Sequence, residues 1–347
     1  MAVFPSRKKV PFKVQKDLWT YLQAYERAKS LPLEYEDLLH FRFSTPLLNA
    51  KGEDTLWETV HFDDLERDDL DQSLTQLYAL LKTDGDVTVL DHLEVARVDY
   101  CTFGNTRPFR VRIINRLNDN YDHFYVKRAD ASRVYGLELE DILSPNSLSY
   151  FVDRNTLVEE HIAGVPGDEF MKLHLEDSEF NQIRIAKEFV KFNERCFIRL
   201  LGDMRSYNYV MDVTPDIEGS QFRIRAIDFD QQSYEGRKSF YLPQYFKENR
   251  PIIFLGMKHM SNQTLKQYQL EERSMVAARV KAVRDRFDDL MEVMTEDQIS
   301  SPEKVLQLAK ELGEHHKSNA FQYCRNMGEI VQMNVDLVLS KAFVDYS

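Results

Sequence analysis

Three polar residues of the segment 200–232 have the types and spacing that phosphate chemistry needs. Asp203 and Asn208 stand at the two ends of a short predicted loop, and Asp228 directly follows a predicted strand, residues 222–227, the second strand of a hairpin. Phosphoryl transfer uses one carboxylate to accept a hydroxyl proton and two oxygen ligands to hold Mg²⁺ on the phosphates. The alternative is a capped turn followed by an acidic strand end, because Asp and Asn are common turn residues.

The motif GDMRSYN followed by IDFD resembles the catalytic loop and metal-binding motif of the protein kinase-like superfamily. It is nearer to the small-molecule kinases (aminoglycoside and choline phosphotransferase-like) than to eukaryotic protein kinases, which have Arg-Asp and Asp-Phe-Gly at these places. The resemblance implies that Asp203 is the catalytic base and that Asn208 and Asp228 are metal ligands. Asp230 is either a second metal contact or simply an acid at the position where a protein kinase has glycine. Arg205 would neutralise an acidic acceptor or the transferring phosphate, or else form a surface ion pair.

A strand lysine and a helix glutamate are the next elements of the resemblance. Residues 86–128 alternate apolar and polar side chains, which predicts antiparallel strands, and Lys127 lies in the last of these strands. Kinase-like enzymes hold the nucleotide phosphates with a lysine at this position. Residues 131–143 are predicted to be a helix. The resemblance implies that Glu138 in this helix positions Lys127.

The nucleotide-binding segments are assigned by resemblance alone. The turn at 102–106 would cover the phosphates, with Gly104, Asn105 and Thr106 as the contacts, although a G-x-G-x-x-G pattern is missing from it. The segment that follows two further strands resembles the hinge that binds adenine. Its candidate residues are Glu160, His161 and Ile162 for the base and Asp168 for the ribose.

Composition limits the classes of function. The chain has 347 residues and a net charge of −12, which argues against a nucleic-acid-binding surface. It contains no apolar run near the roughly 18 residues of a membrane helix. The basic N-terminus lacks the apolar core of a signal peptide. Three widely spaced cysteines fit a reduced cytoplasm better than a disulfide framework or a zinc site.

The predicted fold class is α+β. The resemblance implies a bilobal protein kinase-like fold with three parts: an N-terminal helical extension at 1–84, an antiparallel-sheet N-lobe with one helix at 85–163, and a mainly helical C-lobe at 164–347. Helices are predicted at 15–30, 35–40 and 64–82, and a long helix at 179–199 leads into the Asp203 loop. All motifs occur in the order that the superfamily requires.

The function implied is ATP- and Mg²⁺-dependent phosphorylation of a hydroxyl on a small-molecule or protein acceptor. Three alternatives remain. A catalytically inactive, nucleotide-binding pseudokinase would explain the missing glycines, and a glycosyltransferase would explain the Asp-x-Asp formed by Asp228 and Asp230. A purely structural protein would make the motif order accidental. The acceptor and the oligomeric state are left open.

Overall fold

The computed structural model describes residues 9–83, 91–103, 106–177, 179–217 and 219–344. By its internal contacts the chain divides into two compact units. Unit 1 comprises Met1–Ala131 and Leu148–His161, and unit 2 comprises Ser132–Ser147 and Ile162–Ser347. The chain therefore enters unit 2, returns to unit 1 for one hairpin, and then stays in unit 2. Over the described residues, no helix is both long and apolar enough to cross a membrane.

Unit 1 is built on a seven-stranded antiparallel sheet with the strand order β1-β2-β3-β4-β5-β7-β6. The strands are β1 (Phe43–Leu48), β2 (Asp54–His61), β3 (Leu93–Cys101), β4 (Phe109–Asn115), β5 (Tyr121–Arg128), β6 (Tyr150–Asp153) and β7 (Thr156–Glu160). Phe109, Val111 and Ile113 alternate along β4 and are buried, as period-two patterning requires. They pack with α2 (Asp64–Thr83), whose Leu74, Leu77 and Leu81 belong to the same apolar core.

The sequence predicts an N-terminal helical extension at 1–84, whereas the described part of this range also contains two strands. Unit 1 does begin with α1 (Lys16–Ala24) and a 3₁₀ turn at Asp37–His40, and α2 lies where a helix was predicted. Between them, however, β1 and β2 pair with each other, and β2 pairs with β3 through Thr59 and Asp99. These two strands extend the sheet at one edge, so this part of the chain belongs to unit 1.

Unit 2 is mainly helical. Its helices are α3 (Ala131–Leu143, whose first residue belongs to unit 1), α4 (Gly167–Leu173), α5 (Gln182–Arg199), α6 (Arg250–His259), α7 (Asn262–Ala282), α8 (Arg284–Glu296), α9 (Pro302–His316) and α10 (Met327–Val344). The helices α6, α7 and α10 pack against α5. A small antiparallel sheet adds β8 (Val165–Pro166), β9 (Tyr209–Asp216) and β10 (Gly219–Ala226). The α+β class is confirmed.

The helix α3 has the predicted bounds, but it groups with unit 2 rather than with the sheet. Its polar side chains explain this, because they are bound by groups of unit 2. Tyr135 donates to Asp297 at 3.0 Å, and Ser132 donates to the carbonyl of Gln232 at 2.7 Å. The boundary of the sheet unit therefore differs from the predicted 85–163.

Candidate functional site

The loop that carries Asp203 begins where α5 ends. Leu200 closes α5 in the left-handed conformation, and Asp203 itself has a φ of 59°. The carbonyl oxygen of Asp203 accepts two hydrogen bonds, from the amide nitrogen of Arg205 at 2.8 Å and from Nδ2 of Asn208 at 2.7 Å. The loop is therefore closed on itself, and the two residues of the predicted Asp-x-x-x-x-Asn motif fix each other.

The segment that follows β10 is hydrogen-bonded to this loop. The amide of Ile227 donates to the carbonyl of Asn208 at 3.0 Å, and the amide of Gly202 donates to the carbonyl of Gln231 at 3.2 Å. A Cβ atom on Gly202 would lie 2.6 Å from the ring of Phe240, so this close approach requires glycine. Unit 2 thus brings together the predicted residues Asp203, Arg205, Asn208, Asp228 and Asp230. We call the pair of segments 201–208 and 227–232 the acidic loop pair.

Asp203 and Arg205 form an ion pair inside the acidic loop pair. Nε of Arg205 lies 2.8 Å from the Asp203 carboxylate, and its Nη1 lies 3.1 Å from Glu248. Burial raises the pKa of the Asp203 carboxyl, and the hydrogen bond and charge of Arg205 oppose that rise without cancelling it. The side chain of Asp203 is still 27% exposed, so a substrate group can reach it.

Arg133 binds both carboxylates at the end of β10, and the sequence analysis missed it. Nη1 of this arginine lies 3.0 Å from Oδ1 of Asp228 and 2.6 Å from Oδ1 of Asp230. The Arg133 side chain is only 1% exposed, whereas Asp228 is 37% exposed. Arg133 is the one basic residue of α3, and this was the available signal, because a charge on a buried helix must find a partner.

The oxygen atoms of the acidic loop pair are suited in type to Mg²⁺. Asp228 and Asp230 supply carboxylates, and Asn208 has its amide oxygen to offer because its nitrogen is used on Asp203. Mg²⁺ is commonly held by one or two carboxylates together with substrate phosphates and water. Among the described residues, no group of three or more His, Cys, Asp or Glu side chains could hold a metal ion. A site here would therefore depend on Asn208 and on a phosphate ligand.

Lys127 has a carboxylate partner in unit 1. Its Nζ lies 2.8 Å from Oε2 of Glu159 on β7, and both side chains are buried. Glu138, which the resemblance implies as the partner, accepts two hydrogen bonds from Arg286, at 3.2 and 2.8 Å. Glu159 was missed because the register of β5 against β7, which brings it beside Lys127, is not visible in the sequence.

The predicted nucleotide-binding residues are distributed over both units. Gly104 and Asn105 lie outside the described residues, and Thr106 is half-buried in unit 1. Glu160 accepts from the amide of Ser149 at 3.0 Å. The ring of His161 lies 3.2 Å from the hydroxyl of Tyr125, and burial lowers the pKa of this histidine.

The other two residues of this set lie in unit 2. Ile162 is buried there. The amide of Asp168 donates to the carbonyl of Ser206 at 3.1 Å, which places the start of α4 against the Asp203 loop. The carboxylate of Asp168 is 39% exposed and lies 3.4 Å from Lys172. Asp168 is therefore accessible beside the acidic loop pair.

No protein-family model matches the chain, and no curated protein sequence matches it either.

Proposed function

We propose that this protein is an ATP- and Mg²⁺-dependent phosphotransferase that acts on a hydroxyl group. One observation carries the proposal: two partly exposed carboxylates, Asp203 and Asp228, lie on segments that are hydrogen-bonded directly to each other in unit 2. A proton acceptor beside an oxygen-rich cation site is the arrangement that phosphoryl transfer needs. The motif order of the chain supports the same assignment.

Asp203 is assigned as the base that takes the proton of the acceptor hydroxyl. The loop fixes its backbone through Asn208, and Arg205 holds its carboxylate. A raised pKa makes a carboxylate a better proton acceptor near neutral pH, because efficient general bases have a pKa near the working pH. Arg205 is already paired, so its role is to orient Asp203.

Asn208 and Asp228, with Asp230 beside them, are assigned to hold Mg²⁺ on the ATP phosphates. The bound ion would neutralise charge on the phosphates during transfer. Arg133 fixes the orientation of both carboxylates through its ion pairs with them. Lys127 as a phosphate-binding cation and Glu138 as its positioning residue stay predictions of the resemblance, and within unit 1 Lys127 is ion-paired with Glu159.

ADP production tests this function. The wild-type protein should convert ATP to ADP in the presence of Mg²⁺ and pooled hydroxylated acceptors, and Asp203→Asn should lower this turnover by about 10²–10⁴-fold. Asp216→Asn is the matched control, because Asp216 is exposed and lies at the far end of the same β9–β10 hairpin. If the wild type produces no more ADP than Asp203→Asn under any condition, the assignment is wrong.

A second candidate, an inactive nucleotide-binding module, is favoured by Arg133. Its guanidinium already occupies one oxygen of Asp228 and one of Asp230 that a metal ion would otherwise use, so in such a protein these carboxylates would not form a metal site. Such a protein would bind ATP equally well with Mg²⁺ or with a chelator, and it would release no ADP. An active phosphotransferase would require Mg²⁺ both to bind ATP and to release ADP.

A further inference from the structure

A cavity of about 320 Å³ lies within unit 2 between α5, α6 and the first turns of α7. Its lining includes buried residues of α5 and α6, among them Phe189 and Ile252, and also Met257, which is 72% exposed. Pockets that bind small molecules fall in this range of size and are mostly apolar, with a few polar groups that fix orientation.

The lining of this cavity lacks charge. None of the described residues that line it is charged, although 29% of the residues of the chain are. The polar groups are carboxamides and one hydroxyl: Asn193, Gln244, Asn262, Gln269 and Ser261. Burying an ion against such a wall is unfavourable because no opposite charge compensates for lost hydration. The chemistry of the lining therefore selects an uncharged molecule that can form hydrogen bonds.

Gly256 is an independent sign that this space is kept open. It lies inside α6 and lines the cavity, and its φ is not in the left-handed region. An ideal Cβ atom at this position would meet no atom within 4 Å. Neither backbone conformation nor close packing requires glycine here, and glycine destabilises a helix interior relative to alanine. The glycine at this position leaves the cavity unfilled.

We propose that this cavity binds a small, uncharged and largely apolar molecule that carries a hydroxyl or carbonyl group. Apolar side chains of α5 and α6 would enclose the hydrocarbon part, and the carboxamides would bind the polar group. The proposal does not rest on phosphotransfer, because it concerns different residues and a different class of ligand.

The cavity wall is linked to the acidic loop pair through residues 243–250. The amide of Gln244, which lines the cavity, donates to Oδ1 of Asn193 at 2.9 Å. Five residues later the buried Asn249 donates to the carbonyls of Pro243 and Met204, at 2.8 and 2.9 Å. A ligand that contacts Gln244 would therefore stabilise the segment on which the Asp203 loop rests.

Binding can be measured with three probes that share an eight-carbon chain: 1-octanol, octanoate and octylammonium. The full chain, labelled with ¹³C at its methionine methyl groups, reports binding through the signals of Met257 and Met260. We expect 1-octanol to shift these signals with an affinity at least tenfold higher than that of either charged probe. Equal affinity for all three probes, or no shift with any, would overturn the proposal.

Gly256→Leu tests the location without disturbing the fold. The leucine side chain should fill the cavity and weaken octanol binding at least tenfold, while the melting temperature stays equal or rises. Gly256→Ala, which occupies less of the space, should weaken binding by a smaller factor. Unchanged binding in Gly256→Leu would place octanol elsewhere and refute the site. The other contrary result is a wild type that fails to bind octanol and forms a dimer that Gly256→Leu dissociates. That result would assign this surface to contact with a second copy of the chain.

Discussion

Replacing Arg133 by methionine should destabilise unit 2 strongly, because this side chain is buried between two carboxylates. The guanidinium lies 3.0 Å from Asp228 and 2.6 Å from Asp230, and its side chain is 1% exposed. Removing one partner of a buried ion pair costs about 3–5 kcal/mol, since it leaves an uncompensated charge. We expect the lower end, about 3 kcal/mol, because the Asp228 carboxylate is 37% exposed and water can solvate it.

The assay is thermal unfolding in buffer without divalent metal. For a unit of about 200 residues, one kcal/mol corresponds to about 2–4 °C, so Arg133→Met should lower the melting temperature by roughly 6–12 °C. Arg284→Met is the matched control. Arg284 forms an exposed i,i+4 pair with Asp288 at 2.8 Å, and such pairs contribute at most about 0.5 kcal/mol.

If the melting temperature of Arg133→Met falls no further below that of the wild type than the melting temperature of Arg284→Met does, this explanation is refuted. The two carboxylates would then be stable without the guanidinium. If Asp228 and Asp230 also bind Mg²⁺, added Mg²⁺ should raise the melting temperature of Arg133→Met more than that of the wild type. An equal rise in both proteins would show that Arg133 stabilises the fold without influencing Mg²⁺ binding.

Three further predictions concern single residues. Asp203→Asn should lower phosphotransfer by about 10²–10⁴-fold. It should not lower the melting temperature at neutral pH, because burial raises the pKa of this carboxyl and makes its charged form unfavourable in the folded protein. A large fall in the melting temperature would contradict this explanation. Burial, with the charges of Arg110 and His161, lowers the pKa of His123 from 6.5 to about 4, so the free energy of unfolding should fall as the pH drops from 6.5 toward 4. Urea unfolding at pH 7 and pH 5 should show a smaller difference for His123→Phe, and an unchanged difference would exclude this cause. Gly202→Ala should lower the free energy of unfolding in urea by about 1–3 kcal/mol, because the new Cβ atom would overlap the Phe240 ring. Gly256→Ala should instead raise the free energy of unfolding by roughly 0.5–1 kcal/mol. Equal effects of the two substitutions would refute the packing argument.

Elements with strong local periodicity could be predicted from the sequence. The strands β3, β4 and β5 alternate apolar and polar residues, and α3 has the bounds that the sequence predicts. The strands β1 and β2 were missed because Pro46 interrupts the first and the second is mostly half-exposed. Their stability comes from pairing with each other and with β3 across intervening chain, which a local pattern does not contain.

The candidate site could likewise be predicted only in part from the sequence. Asp203 and Asn208 lie five residues apart, and their mutual hydrogen bond follows from a local motif. The partners of the charged residues are distant in sequence: Arg133 lies 95 residues from Asp228, and Glu159 lies 32 residues from Lys127. The sequence shows that such charges need partners, but only the fold determines which residues they are.

The helix α5 shows why an apolar pattern can mislead. Its phenylalanines do not form one clean stripe, because charged residues share the buried side of the helix. Arg195 is buried with Glu188 at 2.6 Å and Glu272 at 3.3 Å, and Arg199 is paired with Glu140. A buried charge that is paired by a distant carboxylate looks like a surface residue in the sequence.

Calorimetric titration of ATP, with and without Mg²⁺, into the wild type and Asp228→Asn tests the central claim most directly. The account predicts binding that requires Mg²⁺ in the wild type and is lost in Asp228→Asn, while Asp216→Asn binds as the wild type does. Binding that persists without metal in every protein would instead identify an inactive nucleotide-binding module. If ATP fails to bind the wild type at all, the assignment of the acidic loop pair to phosphoryl transfer is contradicted.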